Sequence, residues 1–383
     1  MNRLILIGNG FDIAHGLETR YYDFILDYFK VCCINSLEKL KSLDQVSSNF
    51  VLYEDLLISI TIISIDSISS MVFGIDKPRF EDITINKIRD CNSTEDIVDI
   101  LSKLKILIKY NGYGFPESIL KSINSKKWVD IESLYYEGLK KCLKEHIAHK
   151  STHNSDFQTI ERLTYLNNQL DFIKDKLINY LSEIEKNNTK KINELNEILN
   201  SGLVVKNLKT DKGTVSIDDS VLLLNFNYTK TPVRYISNDK FDIVNIHGEL
   251  NNTENQIIFG YGDEVDKYYK EIEDLNENEF FKHIKSFDYF KTSNYSKLLA
   301  FLDNDEFEVF TMGHSCGLSD RTMLSTIFEH PNCKSIKIFF HENYNDYRNK
   351  TYEISRHFND KLAMRDKIVP FSKCIRMPQH TYK

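Results

Sequence analysis

The sequence predicts an α/β fold, a mostly parallel Rossmann-like sheet interrupted by a large helical insertion. Three observations carry this expectation. The chain opens on an apolar strand that runs straight into glycines. Its last third repeats one figure, an apolar run followed by polar or glycine residues. The stretch between is poor in glycine and rich in Lys, Glu, Leu and Ile, the texture of helices. These features place an α/β core in residues 1–30 and 215–383 and a helical insertion in 31–214.

Leu4-Ile5-Leu6-Ile7 is a run of branched apolar residues, as in a parallel strand covered on both faces. Gly8 and Gly10 permit a tight turn at its end, and a helix starting near Phe11 would aim its first N–H groups at that turn as an anion site. The spacing is not G-x-G-x-x-G, because Gly16 follows Gly10 by six residues. Asp12 would repel a phosphate there unless it points away or pairs with a cation. From Thr19 to Phe29 the apolar residues fall at helical spacing.

Within the insertion, the most apolar stretch, Leu56 to Ile65, is far too short to span a membrane and reads as core. Asn111-Gly112-Tyr113-Gly114-Phe115-Pro116 is a loop whose glycines serve the turn. His146, His149 and His153 would share one face of a continuous helix, one turn beyond Cys142, but one straight helix cannot wrap four ligands around an ion. Leu163, Leu166, Leu170, Ile173, Leu177, Tyr180 and Ile184 step by three and four along a long helix. Lys190–Leu199 would return after a turn at Asn187-Asn188. Such a hairpin either packs on its own domain or docks a second copy or a partner.

After residue 220 the figure of strand and polar tip recurs. Val221–Leu224 leads to Asn225-Phe226-Asn227, Phe241–Ile246 to His247-Gly248, and Ile257–Phe259 to Gly260. Phe307–Met312 leads to Gly313-His314-Ser315, and Ser335–Phe340 to His341. In an open α/β sheet, ligands bind beyond the carboxyl ends of the strands, so these tips should converge. Eight of the 14 glycines lie in them (Gly8, Gly10, Gly16, Gly248, Gly260, Gly262, Gly313 and Gly317), which suggests backbone kept bare for a ligand.

Composition narrows the class. With 383 residues, 41% hydrophobic and 27% charged, the chain can bury one large core or two ordinary ones, and a net charge of -7 gives no blanket attraction for nucleic acid. Seven cysteines with no C-x-x-C pair argue against a disulfide framework or a zinc ribbon and for a reducing, cytoplasmic setting. No secretory signal and no membrane segment are expected.

Gly313-His314-Ser315-Cys316-Gly317 also fits the G-x-S-x-G elbow of α/β-hydrolases, with Asp346 and His357 or His380 to complete a triad. A different chemistry is open to Asp12, His15, Asp23, His247, Glu249, Asp263, His314 and Asp320, which could hold a divalent metal for phosphodiester cleavage. A third class is a nucleotide-sensing module without turnover.

The run Ile5 to Tyr21, together with Phe226-Asn227-Tyr228-Thr229, Ile246-His247-Gly248 and Gly313-His314-Ser315, closely resembles the bacteriophage abortive-infection protein AbiH family. The same stretches look like a diverged sirtuin pattern. That resemblance implies an antiphage effector that binds NAD and cleaves its nicotinamide–ribose bond, an NAD glycohydrolase. It implies His247 and Asn227 as catalytic residues. It also implies a cofactor-binding set of Gly8, Asn9, Gly10, Phe11, Asp12, Gly16, Thr19, Gly248, Gly313, His314 and Ser315. Two departures stand out: Thr229 takes the place of the sirtuin aspartate, and Asp12 that of a small hydroxyl residue. The sirtuin zinc cysteines are absent, so no zinc is expected. The partners implied are a nucleotide, a phage trigger and a second copy met through the helical region.

Overall fold

Alternation along the first strand (β1, Asn2–Ile7) builds two cores at once. Leu4 and Leu6 enter one hydrophobic cluster, Ile5 and Ile7 the other, and all four are fully buried. The computed structural model describes residues 1–43, 49–63, 77–124, 130–149, 153–187, 190–200 and 220–380. The remaining strands are β2 (Val51–Glu54), β3 (Ile58–Ile62), β4 (Ile106–Tyr110), β5 (Val221–Asn225), β6 (Phe241–Asn245), β7 (Phe307–Met312) and β8 (Cys333–Phe339).

Five strands form one sheet in the order β6-β5-β1-β7-β8, every neighbouring pair parallel. By appearance in the chain this is third, second, first, fourth, fifth, the Rossmann order without its sixth strand, and the order reverses between β1 and β7. The α/β class with a Rossmann-like parallel sheet is therefore as the sequence predicts. One face is covered by the helices Asn294–Asn304, Arg321–Glu329 and Tyr344–Ser355. On the other lie Phe11 and Ala14 of the helix Asn9–Ala14, with Leu195 and Leu199 of the helix Asn193–Asn200. That last contact is the packing expected of an amphipathic return helix.

The chain divides into two compact units, Met1–Thr19 with Ile178–Lys383, and Arg20–Leu177. The second unit is not all helix. Its strands form an antiparallel sheet, β2-β3-β4, which the reading of this region as helical missed. Ile58-Ser59-Ile60-Thr61-Ile62 is rich in β-branched residues and buried throughout, so the core stretch expected there is a central strand. Ser64 and Ile65 lie outside the described residues, as does Asn188 of the expected turn.

Two further local expectations change. Ile257–Phe259 is not a strand; Ile258 and Phe259 are buried loop residues, and Ile258 N–H donates to the His247 carbonyl at 2.9 Å. His146 and His149 belong to the helix Ile131–His149, while His153 opens the helix His153–Glu185, so the three are not on one helix. All seven cysteines are buried free thiols. Among the described residues no helix is long and apolar enough to cross a membrane.

Candidate functional site

The β1 turn and the β7 tip close on each other. Gly8 N–H donates to the Met312 carbonyl at 3.2 Å, Gly10 N–H to Gly313 O at 2.9 Å, and Phe11 N–H to Gly8 O at 2.8 Å. The donors that a phosphate would need are thus engaged within the chain. A Cβ on Gly8 would lie 2.4 Å from His314 Cα, and one on Gly313, where φ is +73°, would lie 2.2 Å from Phe11 N. Gly248 is likewise pressed against Gln256 O. The bareness expected to admit a ligand here admits another stretch of backbone.

The rest of the predicted turn is similarly occupied. Phe11 is fully buried core, tilted against His15 and edge-on to Tyr235. Asn9 Nδ2 donates to the Thr19 carbonyl at 3.0 Å, and the Thr19 hydroxyl donates back to Asn9 Oδ1. Gly16, at φ +80°, ends the short helix.

Beside this turn stands the tip of β5. Asn227 Nδ2 donates to Gly8 O at 3.1 Å, and Thr229 Oγ1 donates to Asp12 Oδ2 at 2.7 Å. Burial raises the Asp12 carboxyl to about 6, against the lowering effect of the Thr229 and Thr231 hydroxyls; Glu185 adds to the rise. Its other oxygen, Oδ1, is buried with no hydrogen-bond partner. Thr231 also lines an open cleft of about 280 Å³ with Leu17, Glu185, Asn187, Lys230 and Arg234.

The tips of β6 and β7 meet in a buried ionic cluster. His247 Nε2 lies 3.1 Å from Asp320 Oδ1, Lys285 Nζ donates to the same oxygen at 2.9 Å, and His314 Nε2 is 3.8 Å from Oδ2. The Phe226 ring stands between the histidines, its centroid 5.2 Å from His247 and 4.1 Å from His314. Burial alone would raise the Asp320 carboxyl. Lys285, then His247 and His314, outweigh it and hold the group well below the usual carboxylate range. Burial, and then the Lys285 ammonium, push His247 down, while Asp320 and the Phe226 carbonyl oppose them. His314 is pushed down to about 3, first by burial.

The sheet therefore brings Asn227, His247 and His314 to one edge with the β1 turn, as the repeated tips imply. Ser315 is half-buried beside them. Sequence reasoning had no signal for Lys285, which lies in a short helical turn far from any strand tip. Asp320 follows Gly313 by seven residues, and only its acidity marked it.

Two alternatives lose their geometry. In the G-x-S-x-G run the left-handed residues are Gly313, φ +73°, and Cys316, φ +56°, and the serine is not one of them. His357 Nε2 binds the Cys316 carbonyl at 2.9 Å, and Asp346 caps the helix Tyr344–Ser355. Among the described residues no group of three or more His, Cys, Asp or Glu side chains is arranged so that it could hold a metal ion. His15 bonds Phe11 O and Tyr235, Asp263 pairs with Arg321, and Glu249 binds Asn255.

Neither the curated proteins nor the solved structures gave a match to this chain. The sequence profile described as "Bacteriophage abortive infection AbiH" matches residues 4–342, which takes in β1 with its turn and the tips of β5, β6 and β7. By that match over most of its length, the chain belongs to the bacteriophage abortive-infection AbiH family and has its role in defence against bacteriophage.

Proposed function

We propose that the protein acts in abortive infection by binding NAD across the carboxyl tips of β5, β6 and β7 and breaking its nicotinamide–ribose bond. The His247–Asp320 pair carries this reading: a histidine at a strand tip of a Rossmann-ordered sheet, oriented by a buried carboxylate 3.1 Å away.

In this reaction the ribose–nitrogen bond breaks and its electron pair leaves with the pyridine ring, so nicotinamide departs neutral and needs no strong acid. A water oxygen then bonds the oxocarbenium-like carbon, as in glycoside hydrolysis, and its proton must go to a base. Burial and Lys285 favour a neutral His247 at rest; its Nε2–H faces Asp320, so the proton is taken by the other ring nitrogen. Asp320 and the Phe226 carbonyl then stabilise the imidazolium. Ser315, half-buried at the β7 tip, offers a hydroxyl to the ribose. Uncontrolled loss of NAD stops a cell, which is the outcome abortive infection requires.

The test is nicotinamide release from NAD by the purified full chain, followed by chromatography with a metal chelator present. Release should persist with the chelator and fall about 10²- to 10⁴-fold in His247→Ala. Equal release from both proteins removes His247 from the mechanism, and no release from either removes NAD as substrate.

A further inference from the structure

The turn Gly313-His314-Ser315-Cys316-Gly317, which arms no nucleophile, fixes an imidazole instead. Cys316, at φ +56°, turns its backbone N–H to donate to His314 Nδ1 at 3.0 Å. A ring nitrogen that accepts carries no hydrogen, so the hydrogen of this imidazole sits on Nε2, which can only donate. The His314 carbonyl accepts from Lys350 Nζ at 2.5 Å, which pins the backbone beneath the ring. Nε2 lies 3.8 Å from Asp320 Oδ2, beyond hydrogen-bond reach. Lys285 and His247 both engage the other carboxylate oxygen, Oδ1. Among the described residues neither His314 Nε2 nor Asp320 Oδ2 makes a hydrogen bond. The two residues are only 4% and 7% exposed, so a donor and a charged acceptor stand side by side, more than nine-tenths buried, with nothing bonded to either. Polar groups so deeply buried are costly to leave unpaired, and a ligand that pairs both recovers that cost.

We propose that His314 Nε2–H and Asp320 Oδ2 form a recognition pair for a neutral group that carries an acceptor and a donor side by side, a primary carboxamide. The carboxamide oxygen accepts from His314 and its NH2 donates to Asp320. A carboxylate or phosphate meets a charged acceptor where it needs a donor and is rejected. A hydroxyl fits less well, because one oxygen about 2.8 Å from both atoms would see them at an angle of only about 85°, far from tetrahedral. A carboxamide meets the pair with two atoms, so both bonds stay close to linear. That this carboxamide is the one on nicotinamide rests on the dinucleotide reading. Asp320 then serves the reaction with both oxygens, one orienting His247 and the other holding the leaving group.

The test is calorimetric titration of three pyridines into the full chain saturated with ADP-ribose, which carries the ribose hydroxyls but no pyridine. Nicotinamide should bind tightest. 3-Acetylpyridine keeps the acceptor but has no donor for Asp320, and should bind about tenfold or more weakly. Nicotinate sets a carboxylate against Asp320 and should bind about a hundredfold or more weakly. His314→Asn sets an oxygen near the place of Nδ1, so Cys316 keeps its acceptor while the Nε2 donor is gone. This variant should bind nicotinamide about tenfold more weakly and ADP-ribose as the wild type does. Equal affinities for the three pyridines, or an ADP-ribose complex that takes up none of them, overturn the recognition pair and leave the dinucleotide reading intact. A His314→Asn variant that loses affinity for ADP-ribose rather than for nicotinamide also overturns it and gives the pair to a ribose hydroxyl. Failure of the wild type to bind ADP-ribose removes both. Should His314→Asn not fold, the wild-type series of pyridines decides.

Discussion

Thr229 Oγ1 donates a 2.7 Å hydrogen bond to Asp12 Oδ2, joining positions 217 residues apart. Against the sirtuin pattern expected from the sequence, these are the departures at the turn and at the β5 tip, carboxylate and hydroxyl standing in each other's positions. Counted along the sequence they are two anomalies; in the fold they are one contact. It ties the helix after β1 to the tip of β5, where Asn227 is also anchored.

That contact does not offset the burial of Asp12, and a stability prediction follows. The folded carboxyl titrates at about 6 against an ordinary 3.8, so the folded chain binds the proton more tightly than the unfolded one. Stability should therefore fall as pH rises from about 4 to about 6, and at neutral pH the charged group costs on the order of 3 kcal/mol. Asp12→Asn keeps the shape and an acceptor for Thr229. Urea unfolding should show it more stable than the wild type at pH 7, by up to about 3 kcal/mol, with little difference at pH 4. A less stable variant at pH 7 would refute this.

Asp320 behaves in the opposite sense. Its folded pKa lies below the ordinary 3.8, so its contribution to stability is present above about pH 4 and is lost as the pH falls below it. Asp320→Asn takes from the fully buried Lys285 ammonium the carboxylate 2.9 Å away to which it donates. The expected loss is about 3–5 kcal/mol at pH 7, narrowing in acid, by chemical denaturation. A loss under about 1 kcal/mol at pH 7 would mean that Lys285 is paired elsewhere.

The glycines separate architecture from ligand binding. If Gly8 and Gly313 serve the closure of β1 on β7, alanine at either should destabilise the protein with no ligand present. Its Cβ would meet backbone that cannot step aside, at 2.4 Å and 2.2 Å respectively, and at Gly313 the positive φ adds strain. A loss of about 3 kcal/mol or more, or failure to fold, is expected for each. Melting temperatures equal to the wild type's would return these glycines to a ligand-binding role.

How much could be read in advance follows from what each signal depends on. Parallel strands buried on both faces need continuous apolar runs, and Leu4–Ile7 of β1 and Val221–Leu224 of β5 stand in the sequence undiluted, while β7 is broken only by Glu308 and Thr311. The convergence of Asn227, His247 and His314 follows from topology once those strands are found. The partners of these residues did not follow, because Lys285 reaches Asp320 from a segment with no periodicity to place it. The antiparallel sheet was missed because the apolar run Leu56 to Ile65 was read only as core, and a short apolar run cannot be told from a buried helical segment by periodicity. The role of the glycine turn is not legible for another reason: a residue needed for close approach looks the same in sequence whether a ligand or a strand tip approaches.

At the opposite end of β1, Arg3 and Glu308 form an ion pair of 3.0 Å, both almost completely buried, with the guanidinium 4.6 Å from the centroid of the Phe310 ring. The two residues are aligned across the β1–β7 ladder, so the pair fixes the register that brings Gly8 and Gly313 together at the far end of the same two strands. A buried pair of this kind stabilises little by itself, because desolvating both charges nearly cancels their attraction, but removing one partner strands the other. Glu308→Gln should cost about 3–5 kcal/mol in urea unfolding at pH 7. Arg3→Met combined with Glu308→Leu should recover most of that loss, since neither residue then leaves a charge behind. A double variant as unstable as Glu308→Gln would show that the pair holds the ladder by its hydrogen bonds rather than by balanced charge.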